Sequence, residues 1–136
     1  MDSKQQEIEI DVDLADSEFD SYFFFSERNE LTVRIQIWNL DMLDIIFYDP
    51  ILFLDKGCQL ITVFCENHSK SPLLLQALKR SYDKIPQKHP YKHFQILDLY
   101  DEPVLEIVCQ GFKTSLKKFK RPNSTVNESS CTCQDE

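Results

Sequence analysis

His89 and His93 stand four residues apart, and Cys131 and Cys133 stand two apart. Two imidazoles and two thiolates have the ligand types of a tetrahedral zinc site. Pro90 lies between the histidines and disfavours the helix that would aim both rings the same way. The two cysteines fall in a polar tail. The plainer reading is ordinary loop histidines and exposed tail thiols, so no metal is assigned.

Cys65 and His68 have the residue types of a thiol nucleophile and its base. Cys65, however, lies in a β-branched, apolar run together with Cys58. Like Cys109, both read as buried, reduced thiols that behave as small hydrophobes. No G-x-S-x-G elbow is present, and only two glycines occur, so a Gly-rich phosphate cradle is nearly excluded. No residue is assigned to catalysis and no cofactor is expected.

Carboxylates are the remaining chemical resource. Glu7, Glu9, Asp11 and Asp13 alternate with Ile8, Ile10, Val12 and Leu14. General-acid work needs one carboxylate isolated in an apolar pocket, and a wet row of acids does not supply that. Calcium needs carboxylates gathered on a curled loop, whereas a straight strand spreads its same-face acids about 7 Å apart. Asp44, between Leu43 and Ile45, has the most apolar neighbours. Strand alternation places it opposite them, toward solvent.

The acids matter more as a field. Residues 1–30 hold ten acids and two bases, which is the whole formal net charge of −8. The remainder is neutral, with a basic cluster at Lys113, Lys117, Lys118, Lys120 and Arg121. An acidic surface repels nucleic acid and speeds encounter with a basic protein. The plainer reading of the charge alone is solubility.

These groups must be positioned by strands. Residues 7–14 have period two, with four acids on one face and four aliphatics on the other. Repelling acids suit an edge that must not pair with a second copy. Phe19–Ser26, centred on Tyr22, Phe23, Phe24 and Phe25, predicts a strand at the sheet centre or at an oligomer seam. Residues 31–38 and 42–48 alternate again, with Leu31, Val33, Ile35 and Ile37, then Leu43, Ile45 and Phe47, inward. Ile51–Leu54 and Cys58–Glu66 predict two further strands. Short connections make consecutive strands antiparallel neighbours. Trp38 falls off the inward face, and Trp38 and Tyr48 lie near hairpin ends. Trp38 either caps a second core layer under the helix or joins a binding patch.

The period then changes. Ser71 before Pro72 is a helix start, with Leu74, Leu75, Leu78 and Tyr82 as its stripe and Pro86 as its stop. Residues 91–100 and 104–109 predict two more strands. Phe112, Leu116 and Phe119 at i, i+4 and i+7 predict a short basic C-terminal helix. The fold expected is α+β, a mainly antiparallel sheet with one principal helix at about 72–85 packed on one face. The expected domain spans 1–121, followed by a disordered polar tail over 122–136.

The odd cysteine count of five and the polar N-terminus point to a reducing cytoplasmic compartment, so three Asn-x-Ser/Thr triplets read as chance. No apolar run reaches the roughly 18 residues needed to span a bilayer. The expected function is a non-enzymatic protein-binding domain, of the immunity or inhibitor type, whose acidic sheet edge meets a basic protein partner. Glu7, Glu9, Asp11, Asp13, Trp38 and Tyr48 are its candidate contact residues. Two alternatives are a small enzyme or ligand-binding domain with a pocket between helix and sheet, and a structural homo-oligomer, such as a homodimer joined through Tyr22–Phe25.

Overall fold

The computed structural model describes residues 5–10, 12–57, 60–68 and 71–118. Ten strands and one helix follow in chain order. They are β1 (Gln5–Glu7), β2 (Ser17–Phe25), β3 (Glu30–Gln36), β4 (Met42–Tyr48), β5 (Leu52–Asp55), β6 (Leu60–Ile61), β7 (Val63–Asn67), α1 (Pro72–Ser81), β8 (Lys92–Leu97), β9 (Pro103–Cys109) and β10 (Gly111–Lys117). The expected α+β class holds. The strands form two five-stranded antiparallel sheets, ordered β1-β7-β8-β9-β5 and β10-β4-β3-β2-β6.

Alternation decides which residues meet between the sheets. Leu31, Val33 and Ile35 pair across with Phe47, Ile45 and Leu43, and all six are buried. Phe64, Phe94, Ile96, Leu105 and Ile107 face them from the other sheet in one continuous apolar cluster. Four rings lock the layers. Phe64 of β7 and Phe94 of β8 contact Phe47 of β4 and Phe112 of β10, with centroids 5.0–5.9 Å apart. Such edge and tilted contacts add to the area that the rings bury.

Helix α1 lies outside the sandwich, on the back of β8 and β9. Ser71 caps it by accepting a hydrogen bond from the Leu74 N–H, and Pro72 opens it, as the sequence predicts. Ala77 and Leu78 are its buried residues, whereas Leu75 is exposed. The helix stops at Ser81, short of the expected 85. Tyr82 is already extended, and its ring packs on Tyr91.

Other expectations need correction. Residues 111–117 are a strand rather than a C-terminal helix, paired along their whole length with β4. An i, i+4 spacing is also even, so Phe112 and Leu116 share one strand face as readily as one helix face. Phe119 lies outside the described residues. The regular strand expected over 7–14 ends at Glu7, although Ile8, Ile10 and Val12 still pack against the core and Leu14 is buried. Asp11 lies outside the described residues. The run over 58–66 splits into β6 and β7, which belong to different sheets. The turn at Asp49 (φ 52°) and Pro50 likewise sends β5 to the opposite sheet from β4. Short connections therefore do not all make hairpin neighbours here. No helix among the described residues is long and apolar enough to cross a membrane. The expected tail over 122–136 lies outside the described residues.

Candidate functional site

A buried polar chain runs beneath α1. Ser71 Oγ lies 2.8 Å from His93 Nδ1, and His93 Nε2 lies 2.7 Å from Glu106 Oε1. Gln95 Nε2 donates to the same oxygen at 3.0 Å, and the Lys56 ammonium pairs with the other carboxylate oxygen. With a neutral imidazole every group is satisfied. Leu74 N–H donates to Ser71 Oγ, the hydroxyl donates to Nδ1, and Nε2–H donates to Glu106. Burial alone would push the Glu106 carboxyl up. The hydrogen bonds from His93, Lys56 and Gln95 outweigh it and bring the group down to about 2.

The order serine, imidazole, carboxylate is that of a nucleophilic relay. Local chemistry opposes that use. Ser71 is buried and already committed as a helix cap. The following residue is Pro72, so the peptide N–H that commonly lines an oxyanion hole after a nucleophile is missing. The chain clamps α1 to its sheet. It was missed from sequence, where the signal was three polar residues, His93, Gln95 and Glu106, on one face of otherwise apolar strands.

Neither described thiol is activated. Burial, then Glu7 and Glu106, pushes Cys65 up to about 11, and burial pushes Cys109 up to about 12. His68 turns to Gln6 and Glu66 rather than to Cys65. Cys58, Cys131 and Cys133 lie outside the described residues. Among the described residues no three His, Cys, Asp or Glu gather as a metal site. His93 is committed to Ser71 and Glu106, apart from His89, which stacks on Tyr91.

The exposed apolar groups have a clearer geometry. Strands β3 and β4 are joined by Trp38-Asn39-Leu40, closed by Ile37 N–H to Asp41 C=O at 3.0 Å and Leu40 N–H to Ile37 C=O at 2.9 Å. Strands β8 and β9 are joined by Leu99-Tyr100-Asp101, closed in the same way by Asp98 N–H to Glu102 C=O and Asp101 N–H to Asp98 C=O. Each three-residue loop ends in a left-handed residue, Leu40 (φ 74°) or Asp101 (φ 60°), where hairpins of this length usually place Gly. Both tips hold large apolar side chains in solvent. Trp38 is 62% exposed, Leu99 57% and Tyr100 81%.

Register places both tips at one end of the sandwich. Gln36, just before the first tip, pairs with Glu18, and the adjacent Ser17 pairs with Ile61. Thr62 then bonds Leu97 and Asp98 at the second tip. The path between the tips crosses three strand spacings, each about 4.8 Å, and turns from one sheet to the other between β6 and β7. A hollow of about 200 Å³, lined by Gly57, Leu60, Asp98, Leu99, Tyr100 and Val104, opens beside the second tip.

Comparison with protein-family models, with curated proteins and with solved structures finds no match.

The structure brings only some of the sequence candidates together. Glu7, Glu9 and Asp13 line one hollow of about 240 Å³ along the edge of β7, with Thr62 and Phe64 as its floor. That segment runs toward the hairpin end, where Asp13 accepts from Ala15 N–H and leads into Ser17. Trp38 sits on the hairpin end itself. Tyr48 does not join it. It occupies the far end of β4, opposite Glu30, with the Lys113 ammonium over its ring at 5.9 Å. Trp38 caps no second core layer, because α1 covers the other sheet. Asp44 is buried rather than wet, because Arg34 holds both of its oxygens and Lys117 approaches at 3.6 Å. Burial alone would raise its pKa, and these partners reverse that and lower it.

Proposed function

We propose that this chain is a non-enzymatic protein-binding domain. Its hairpin end, bearing Trp38, Leu40, Leu99 and Tyr100 among acids, engages a basic partner protein. The observation that carries the reading is the gathering of two hairpin tips of the same type, both loaded with exposed large apolar groups, at one end of the sandwich. Rigid aromatic groups on scaffolded loops are the usual energetic anchors of interfaces. Asp13, Asp16 and Glu18 approach this end from the N-terminal segment, and Asp98, Asp101 and Glu102 belong to the second tip. Lys56, Lys117 and Lys118 also come near it by register; Lys56 is paired with Glu106, and Lys117 shares Asp44 with Arg34. The six acids outnumber these lysines, so the local field is negative and favours a basic partner. An inhibitor that covers a basic protein would use such a surface.

The test is capture from the native host by wild type, by a Trp38→Ala/Tyr100→Ala variant, and by a variant with Glu7, Glu9, Asp11 and Asp13 changed to Gln or Asn. The double alanine variant should lose about 30-fold in affinity, corresponding to about 2 kcal/mol. The charge variant should capture less at low salt and equally at high salt. Equal capture by all three proteins under all conditions would leave the hairpin end without a binding role.

A further inference from the structure

We infer that the open edge of β2 accepts an extended segment of a partner protein as an added strand, one with apolar residues at its centre and basic residues at its ends. This rests on the protein-binding reading and adds a second surface with its own mode of recognition.

Strand β2 is nine residues long, but β6 covers it only at Ser17 and Glu18. From Asp20 to Phe25 the side away from β3 has no strand neighbour among the described residues. Six residues of open ladder span about 20 Å. Alternate backbone N–H and C=O groups along such an edge are free to pair with a visiting chain.

Natural edges are usually blunted with charge, proline or short length. This one is not. Ser21 to Ser26 contains no charge and no proline, and four of its six residues are aromatic. Tyr22, Phe24 and Phe25 are exposed, with Phe24 at 52%. The rings are already organised on both faces. Tyr22 packs edge-on against Phe53 of the opposite sheet with centroids 4.7 Å apart. On the other face Phe23 and Phe25 meet edge-on at 5.3 Å, beneath the guanidinium groups of Arg34 and Arg28. A strand laid beside β2 would find ring surface above and below its own side chains.

Charge selects the occupant. Asp16, Glu18 and Asp20 stand at one end of the open stretch, and Glu27 and Glu30 at the other. Arg28 is drawn to Glu30, and Arg34 is consumed by Asp44. The frame is acidic around a neutral aromatic centre, which matches a segment with apolar residues between basic flanks. A second copy of the chain matches poorly. It would bring a formal charge of −8 against another −8, and its own β2 carries the same acidic frame.

The probe is a synthetic peptide of alternating valine and threonine with two lysines at each end. Two controls accompany it. One carries glutamates in place of the lysines, and the other carries N-methyl groups on two consecutive central residues, which blocks strand pairing on both edges. Binding to the full chain is followed by fluorescence anisotropy, and the site by amide hydrogen exchange. The lysine peptide should bind at least tenfold more tightly than the glutamate peptide at low salt, and the N-methyl peptide should not bind. New amide protection should fall within residues 20–25. Protection elsewhere, or equal binding of the N-methyl peptide, overturns the inference. So does protection, before peptide is added, of those amides in 20–25 that point away from β3, whether sedimentation shows a dimer or a monomer, because the edge is then covered by a second copy or by the chain itself. If the peptide fails while the Trp38→Ala/Tyr100→Ala variant still loses its partner, the edge inference falls and the hairpin reading stands.

Discussion

Ser71 Oγ lies 2.8 Å from His93 Nδ1, so the residue that starts α1 is also the residue that ties it to the sheet beneath. Helix position and sheet chemistry are coupled through one hydroxyl. The coupling continues through His93 to Glu106, whose carboxylate is held by three donors.

That carboxylate should make stability depend on acid. Its ordinary value of 4.5 falls to about 2 in the fold, because the hydrogen bonds outweigh the opposing effect of burial. A depressed carboxylate contributes stability that is fully present above the unfolded value and is lost as pH falls through the folded one. The contribution should therefore fade between about pH 4.5 and 2. Glu106→Gln should cost about 1.5–3 kcal/mol at neutral pH through weaker bonds to His93 and Lys56. Its thermal midpoint should fall less steeply than that of wild type between pH 4.5 and 2. Parallel pH profiles for the two proteins would show that Glu106 does not set this dependence.

Two phenylalanines should behave oppositely. Phe47 is fully buried in the four-ring knot, and Phe47→Ala should cost about 3–5 kcal/mol. Phe24 is about half exposed on an edge strand, so Phe24→Ala should cost under about 1 kcal/mol. Denaturant melts measure both. A large loss at Phe24 would mean that β2 is covered in solution.

Leu40 occupies a left-handed position that suits Gly. The strain is on the order of 1 kcal/mol, so Leu40→Gly should raise the unfolding free energy by up to about that much. The same change deletes an exposed apolar group from the hairpin end. Stability should rise while partner capture falls. A variant that gains stability and keeps full capture would show that Leu40 takes no part in binding.

Much of the architecture was legible because its physics is local. The alternation of Leu31, Val33 and Ile35, and of Leu43, Ile45 and Phe47, predicts β3 and β4 with their inward faces. Ser71 before Pro72 predicts the helix start. Three features were not legible. Phe112 and Leu116 fit both helical and strand spacing, and only the free edge of β4 decides between them. The aromatic run at Tyr22–Phe25 resembles a core strand, yet its place at an edge depends on where β6 pairs. The two sheets arise from connections such as Asp49-Pro50, whose kink redirects the chain without a local signal of destination. The candidate site divides in the same way. Trp38 could be read as a turn residue, but Tyr100, 62 residues later, joins it only through the pairing of β6 with β2.

The most direct measurement of the binding account is the kinetics of association between this chain and the partner it captures, followed across ionic strength. Exposed acids act mainly through long-range steering and buried anchors through the lifetime of the complex. The association rate of wild type should fall steeply with salt. The variant with Glu7, Glu9, Asp11 and Asp13 neutralised should start slower and respond less to salt, with its dissociation rate changed by less than about threefold. Trp38→Ala/Tyr100→Ala should do the reverse, with a dissociation rate at least tenfold faster and a similar association rate. Association rates independent of salt, together with dissociation unchanged by loss of both aromatic side chains, would contradict an acidic, aromatic docking end.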